Sequence, residues 1–172
     1  SKLNADGLTP VYTTYFGGTV GAQNAIVTTV NRVNGIYEKE DAIRLTLVQT
    51  KLFTSGATDP FPNPNDVNGT LLAECDSVLD ADVGVANYDI GHLVGRGDGG
   101  GRAGLGVVCG SSKGAGATNS GAPLGDAYDV DYVAHEMGHQ FGGDHTFNGT
   151  TGSCGGGNRV VGSAYEPGSG TT

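Results

Sequence analysis

The stretch from His135 to His145, HEMGHQFGGDH, constrains this chain more than any other. It asks for a helix that stops abruptly and a chain that turns back on it. His135 and His139 are four residues apart, so on a helix both imidazoles lie on one face, one turn apart, close enough to share a metal ion. Glu136 follows the first histidine. Its carboxylate hangs beside such an ion rather than on it, where it can take a proton from a metal-bound water. Gly142 stands where a helix can end in a left-handed residue. The turn there lets His145 come back as a third nitrogen ligand. Three histidines with one open position is the pattern of catalytic zinc, not of the closed structural site. The chain has four histidines, and three of them fall in this window.

At these residues the chain resembles the metzincin metalloendopeptidases. The resemblance implies a zinc-dependent endopeptidase acting on proteins or peptides. His135, His139 and His145 would be the metal ligands, and Glu136 the general base for attack by a zinc-bound water. It implies an α/β (α+β) fold as well: a twisted, mostly parallel sheet with an antiparallel edge strand, a backing helix and an active-site helix. Residues 1–142 would form the catalytic subdomain, and 143–172 the start of an incomplete C-terminal one. Gly101, Ala103 and Cys109 match a Gly-x-Ala…Cys run of the adamalysin/reprolysin branch, so the resemblance leans toward a bacterial, reprolysin-like member. Arg102 to Cys109 is then expected to be the edge strand above the active-site helix. Gly104, Leu105, Gly106 and Val107 would pair with the backbone of an extended substrate.

Two residues depart from that pattern. Metzincins carry a methionine turn downstream of the third ligand, whereas the one methionine here is Met137, inside the helix. The chain is therefore expected to stop before that turn, with a C-terminal fragment of the same precursor as a partner. Thr146 stands where reprolysins usually place Asp.

Composition narrows the remaining classes. With 18 acidic against 9 basic residues, the formal charge is −9, which repels nucleic-acid phosphates. No apolar run reaches the length of a membrane span, and no basic-then-apolar segment opens the chain. Cys75, Cys109 and Cys154 lack metal-site spacing; they allow one disulfide plus a free thiol, or a bond to another polypeptide. A secreted, oxidising setting is expected. The 32 glycines cluster after Gly91 and predict many turns.

The elements read as follows. Pro10 to Phe16 is rich in β-branched and aromatic residues, as strands are. Ile26, Val30, Val33 and Tyr37 recur at helical spacing in a long helix from about Val20 to Glu40. Ile43 to Thr50 alternates as a strand, so the three make a parallel crossover. Asp59 to Gly69 is a proline-rich loop. Val67 to Val83 is a short helix burying Leu71, Leu72, Cys75, Val78 and Leu79. Tyr88 to Val94 is a third strand, with His92 as a structural residue. Gly95 to Gly101 is a polar hairpin tip, and Gly110 to Gly125 a Ser/Gly/Ala loop. Asp126, Asp129 and Asp131 favour the N-terminus of the active-site helix, where calcium is the lesser alternative because their spacing matches no calcium loop. Val130, Val133, Ala134, Met137 and Phe141 form that helix's apolar side.

Three other classes fit these residues less well. A thermolysin-like enzyme would need Glu166 as third ligand, and Glu166 sits in a Pro/Gly loop. A catalytically silent zinc-binding or adhesion module would have no use for Glu136. A serine or cysteine hydrolase finds no G-x-S-x-G motif.

Overall fold

The computed structural model describes residues 2–7, 9–57, 59–61 and 70–165. Glu166, the loop from Pro167 to Thr172 and most of the Asp59–Gly69 loop lie outside the described residues. Five strands form one sheet: β1 (Lys2–Gly7), β2 (Thr46–Leu52), β3 (Ile90–Gly95), β4 (Gly100–Ala103) and β5 (Gly116–Asn119). Their order across the sheet is β2-β1-β3-β5-β4. β1 runs parallel to β2 and β3, and β3 parallel to β5; only the β4–β5 pair is antiparallel. The expected mixed sheet with an antiparallel edge is therefore present.

Alternation along the central strands assigns the two faces. Ile90 and Val94 of β3 join Leu3 in a core with α1 (Thr9–Tyr15), α2 (Thr19–Glu40) and the segment from Tyr128 to Met137. Leu93 and Ala117 point the other way, into a second core with α3 (Leu71–Asp82), whose Leu71, Cys75 and Leu79 are buried. β3 is buried along its whole length, as a strand covered by helices on both faces must be.

α2 forms where its apolar spacing places it. Ile26, Val30, Val33 and Tyr37 are all buried, each apolar side chain worth roughly 1.5–3 kcal/mol over leaving it in water. The expected strand at Pro10 to Phe16 is not there. That segment is helix α1, and the sheet's first strand is Lys2–Gly7. Tyr12 and Phe16, one helical turn apart, bring their rings to 4.9 Å. Tyr12 and Thr13 are buried while Val11 and Tyr15 face out. The Thr13 hydroxyl donates to the Phe53 carbonyl at 3.0 Å. Strand propensity is a statement about packing on a pleated surface, and here the packing is helical.

A second correction concerns Gly110 to Gly125, expected as a loop throughout. Gly116–Asn119 is a fully buried strand inserted between β3 and β4. The edge strand is also shorter and earlier than expected: β4 ends at Ala103, and the next residues turn. No disulfide forms among the described residues. Cys75 is buried, with its Sγ 3.7 Å from the Gly116 carbonyl oxygen, while Cys109 is exposed and Cys154 half-buried. No helix among the described residues is long and apolar enough to cross a membrane.

Candidate metal centre

One continuous helical run carries the motif. It opens as α4 (Asp126–Tyr128), widens into a π-helical segment at Asp129–Ala134, and closes as α5 (His135–Gln140). The backing helix pins it twice. Thr29 Oγ1 donates to Asp129 Oδ1 at 2.7 Å, and the Tyr37 hydroxyl donates to the Ala134 carbonyl at 2.6 Å. Asp126, Asp129 and Asp131 lie in the first turns of this run as expected, but none of them caps it. The cap residue of α4 is Gly125 and no side chain caps it; Asp129 is buried against Thr29 instead, and Asp126 pairs with Arg32 at the surface. Val133, Ala134 and Met137 are buried on the core side.

The helix ends as the sequence requires. Gly142 has φ +100°, a conformation that glycine adopts without strain. Its N–H donates to the His139 carbonyl at 2.8 Å, and the Gly143 N–H to the Gly138 carbonyl at 2.9 Å. This pair of bonds is a Schellman stop, and it reverses the chain toward the histidines. His145 then faces the pair on the helix. The Nε2 atoms of His135, His139 and His145 stand 3.0, 3.2 and 3.2 Å apart.

Those distances fit a shared ion. Nitrogens held tetrahedrally about 2.0–2.1 Å from zinc lie about 3.3 Å from one another. Protonation agrees. Nδ1 of His139 is 2.7 Å from the Gly143 carbonyl oxygen, and Nδ1 of His145 is 2.5 Å from that of Asn158. A carbonyl only accepts, so each Nδ1 carries a proton, and the neutral form of each ring is the tautomer that leaves Nε2 as a lone pair. Burial, and next its two histidine neighbours, push His135 down to about 4, so that ring is neutral at pH 7. Lone pairs converging this closely repel unless a cation stands between them. Among the described residues these three are the one group placed to hold a metal.

Glu136 lies on the same helix but turns toward the sheet. It is 6% exposed and sits against Gly101 of β4. Burial pushes its carboxyl up to about 7, with the Arg102 guanidinium acting the other way. A divalent ion among the histidines would favour the ionised form. A cleft of about 930 Å³ runs over this face, between β4 and the histidines, and Tyr132 and Leu105 line its walls. A second hollow of about 630 Å³ opens on the other side of the histidines, walled by Tyr37, Ile43, Phe141 and Phe147. Of the residues expected to pair with substrate, Gly104, Leu105, Gly106 and Val107 lie in the turn after β4. The Gly104 N–H donates to the Ala115 carbonyl at 2.8 Å and the Gly106 N–H to that of His139 at 2.9 Å.

Sequence reasoning missed Gln140. It is fully buried and fastens the end of the histidine-bearing helix to the sheet. Its Nε2 donates to the carbonyls of Gly91 at 2.8 Å and Lys113 at 3.3 Å. Those bonds orient the amide, so Oε1 accepts from His92 Nδ1 at 2.8 Å. His92 Nε2 is then the acceptor for the Thr118 hydroxyl, 2.8 Å away. The available signal was position: Gln140 is one helical turn after Glu136, on the same sheet-facing side.

This network has a pH signature. Burial lowers His92 to about 4, against a partial opposing effect of Gln140. The unfolded chain takes up the proton near pH 6.5, and the folded chain resists until about 4. The contribution is therefore fully present above pH 6.5 and is lost as pH falls toward 4. Urea unfolding of wild type and His92→Gln in chelator, between pH 4 and 6.5, should give a wild-type slope steeper by up to about 1.4 kcal/mol per pH unit. Parallel slopes would mean that His92 is not held neutral.

The sheet with helices on both faces, the three converging imidazoles and the buried glutamate are parts that a metallopeptidase domain would need. The chain belongs to the reprolysin-like metallopeptidases of family M12B, whose family model matches residues 23–146, from α2 through the third histidine. No curated protein matches the chain. One solved structure, described as "Structure of a chaperone-substrate complex", is 21% identical with a TM-score of 0.52. The match covers 96% of this chain and spans 28% of the length of that one. At that identity the likeness speaks for the fold alone.

Proposed function

We propose that this chain is a zinc-dependent endopeptidase. The observation that carries the reading is the meeting of three Nε2 lone pairs beside a buried glutamate that the cleft reaches. Bound zinc would supply an acidified water and a positive charge for the developing oxyanion. Glu136 takes the proton from the attacking water and returns it to the leaving amine. The carbonyls of Gly143 and Asn158 hold the His139 and His145 rings in the tautomer that ligation needs.

Substrate enters as an extended strand on the open edge of β4. The Gly104–Ala115 bond sets the phase of the antiparallel ladder, in which bonded and open residues alternate. Arg102 and Gly100 therefore bond to β5, and the backbone groups of Gly101 and Ala103 face the cleft. In the turn that follows, the exposed Leu105 adds an apolar wall.

Metal analysis of the purified chain, with peptide cleavage followed with and without a chelator, tests the proposal. About one zinc per chain is expected, with cleavage lost in chelator and restored by added zinc. Cleavage that survives complete removal of metal would overturn it.

A further inference from the structure

We propose that Gly101 is the positioning residue for Glu136, through the space its missing side chain leaves. The inference rests on the endopeptidase reading and says which residue fixes the base. A Cβ built on Gly101 would stand 2.4 Å from Cγ, 2.5 Å from Oε1 and 2.7 Å from Cδ of Glu136. All three of its nearest neighbours belong to that one side chain. Real carbon contacts do not come so close, so any side chain at 101 and this placement of Glu136 exclude each other.

The neighbouring glycines separate two reasons for being glycine. Gly99 and Gly100 have φ +86° and +115°, and a Cβ on either would meet at most one atom, at 4.0 Å. They are glycine for the turn of the chain. Gly101 has no positive φ and lies within β4, where any residue's backbone fits. Its requirement is space alone. The sheet repeats the device one helical turn further on, where a Cβ on Gly116 would stand 2.4 Å from Oε1 of Gln140. Two strands are hollowed under two successive sheet-facing polar side chains of the helix. At Gly116 the hollow seats a tether; at Gly101 it seats the proton carrier. Cγ is among the atoms struck, so relief requires the whole side chain to swing about its first bond, which carries the carboxylate off its place.

Gly101→Ala tests this directly. The backbone groups offered to substrate stay the same, and the three histidines are untouched. The expected result is kcat lower by about a hundredfold, with KM and the zinc Kd within about twofold. Because the effect runs through Glu136, the double variant Gly101→Ala/Glu136→Gln should be no slower than Glu136→Gln alone. A crystal structure of zinc-loaded Gly101→Ala should show the Glu136 side chain swung away from its wild-type place. Unchanged kcat, a loss confined to KM, or an additive double variant would overturn the proposal. If the wild type binds zinc yet cleaves nothing, the endopeptidase reading fails while the crystal structure still decides: an unmoved Glu136 in Gly101→Ala overturns the positioning role, and a displaced one upholds it.

Discussion

Glu136→Gln should lower kcat on a peptide substrate by about a thousandfold or more and leave zinc binding intact. The substitution keeps the size of the side chain, so the hollow over Gly101 stays filled. It changes one property, since an amide cannot accept the proton of the attacking water or deliver it to the leaving amine. Glu136 is not one of the three converging residues, so an ion held by the histidines should stay in place. Zinc content and kcat, measured on one preparation, separate base from ligand. A variant that cleaves at the wild-type rate would leave Glu136 a packing residue. A variant that loses zinc along with activity would make it part of the metal cage.

Removing the third histidine acts on the other term. His145→Ala should weaken zinc binding by roughly a hundredfold or more, since even the partners behind a ligand are worth 10–100-fold. The two histidines left, on one helix, offer one edge of a coordination tetrahedron. His145 is reached only because the helix stops at Gly142, and its ring is aimed by the Asn158 carbonyl. It lies half-buried and outside both cores, so urea stability in chelator should shift by no more than about 0.5 kcal/mol. Competition titration against a chromophoric chelator reads the affinity. Unchanged affinity would mean that the ion is held without His145.

What was legible in the sequence was local. The spacing of Ile26, Val30, Val33 and Tyr37 wrote α2, and the motif wrote the helix, its stop and the returning histidine. Each is a pattern within a few turns of chain. What was illegible depends on partners far away. Gly116–Asn119 reads as loop because four small and polar residues carry no strand pattern of their own; they become a strand between β3 and β4. Pro10 to Phe16 reads as strand because aromatic and β-branched residues suit sheets, yet Thr13 finds its partner at Phe53, forty residues on. Asp129 reads as a carboxylate favouring the helix N-terminus, and its partner Thr29 is a hundred residues back. The edge strand was found but placed too late, because its Gly-rich run continues past Ala103 into a turn whose N–H groups bond to β5's approach and to the helix.

The position of β5 also sets an order of assembly. Within the sheet, the wall of the cleft has one neighbour, and that neighbour comes later in the chain than the wall itself. Gly100–Ala103 can complete its ladder only with residues 116–119, which follow it in the chain. The helix bearing the histidines follows next and rests on both strands. The cleft therefore takes its wall, that wall's one neighbour and the histidine-bearing helix from residues later in the chain than β1, β2 and β3, the strands on which the sheet is founded.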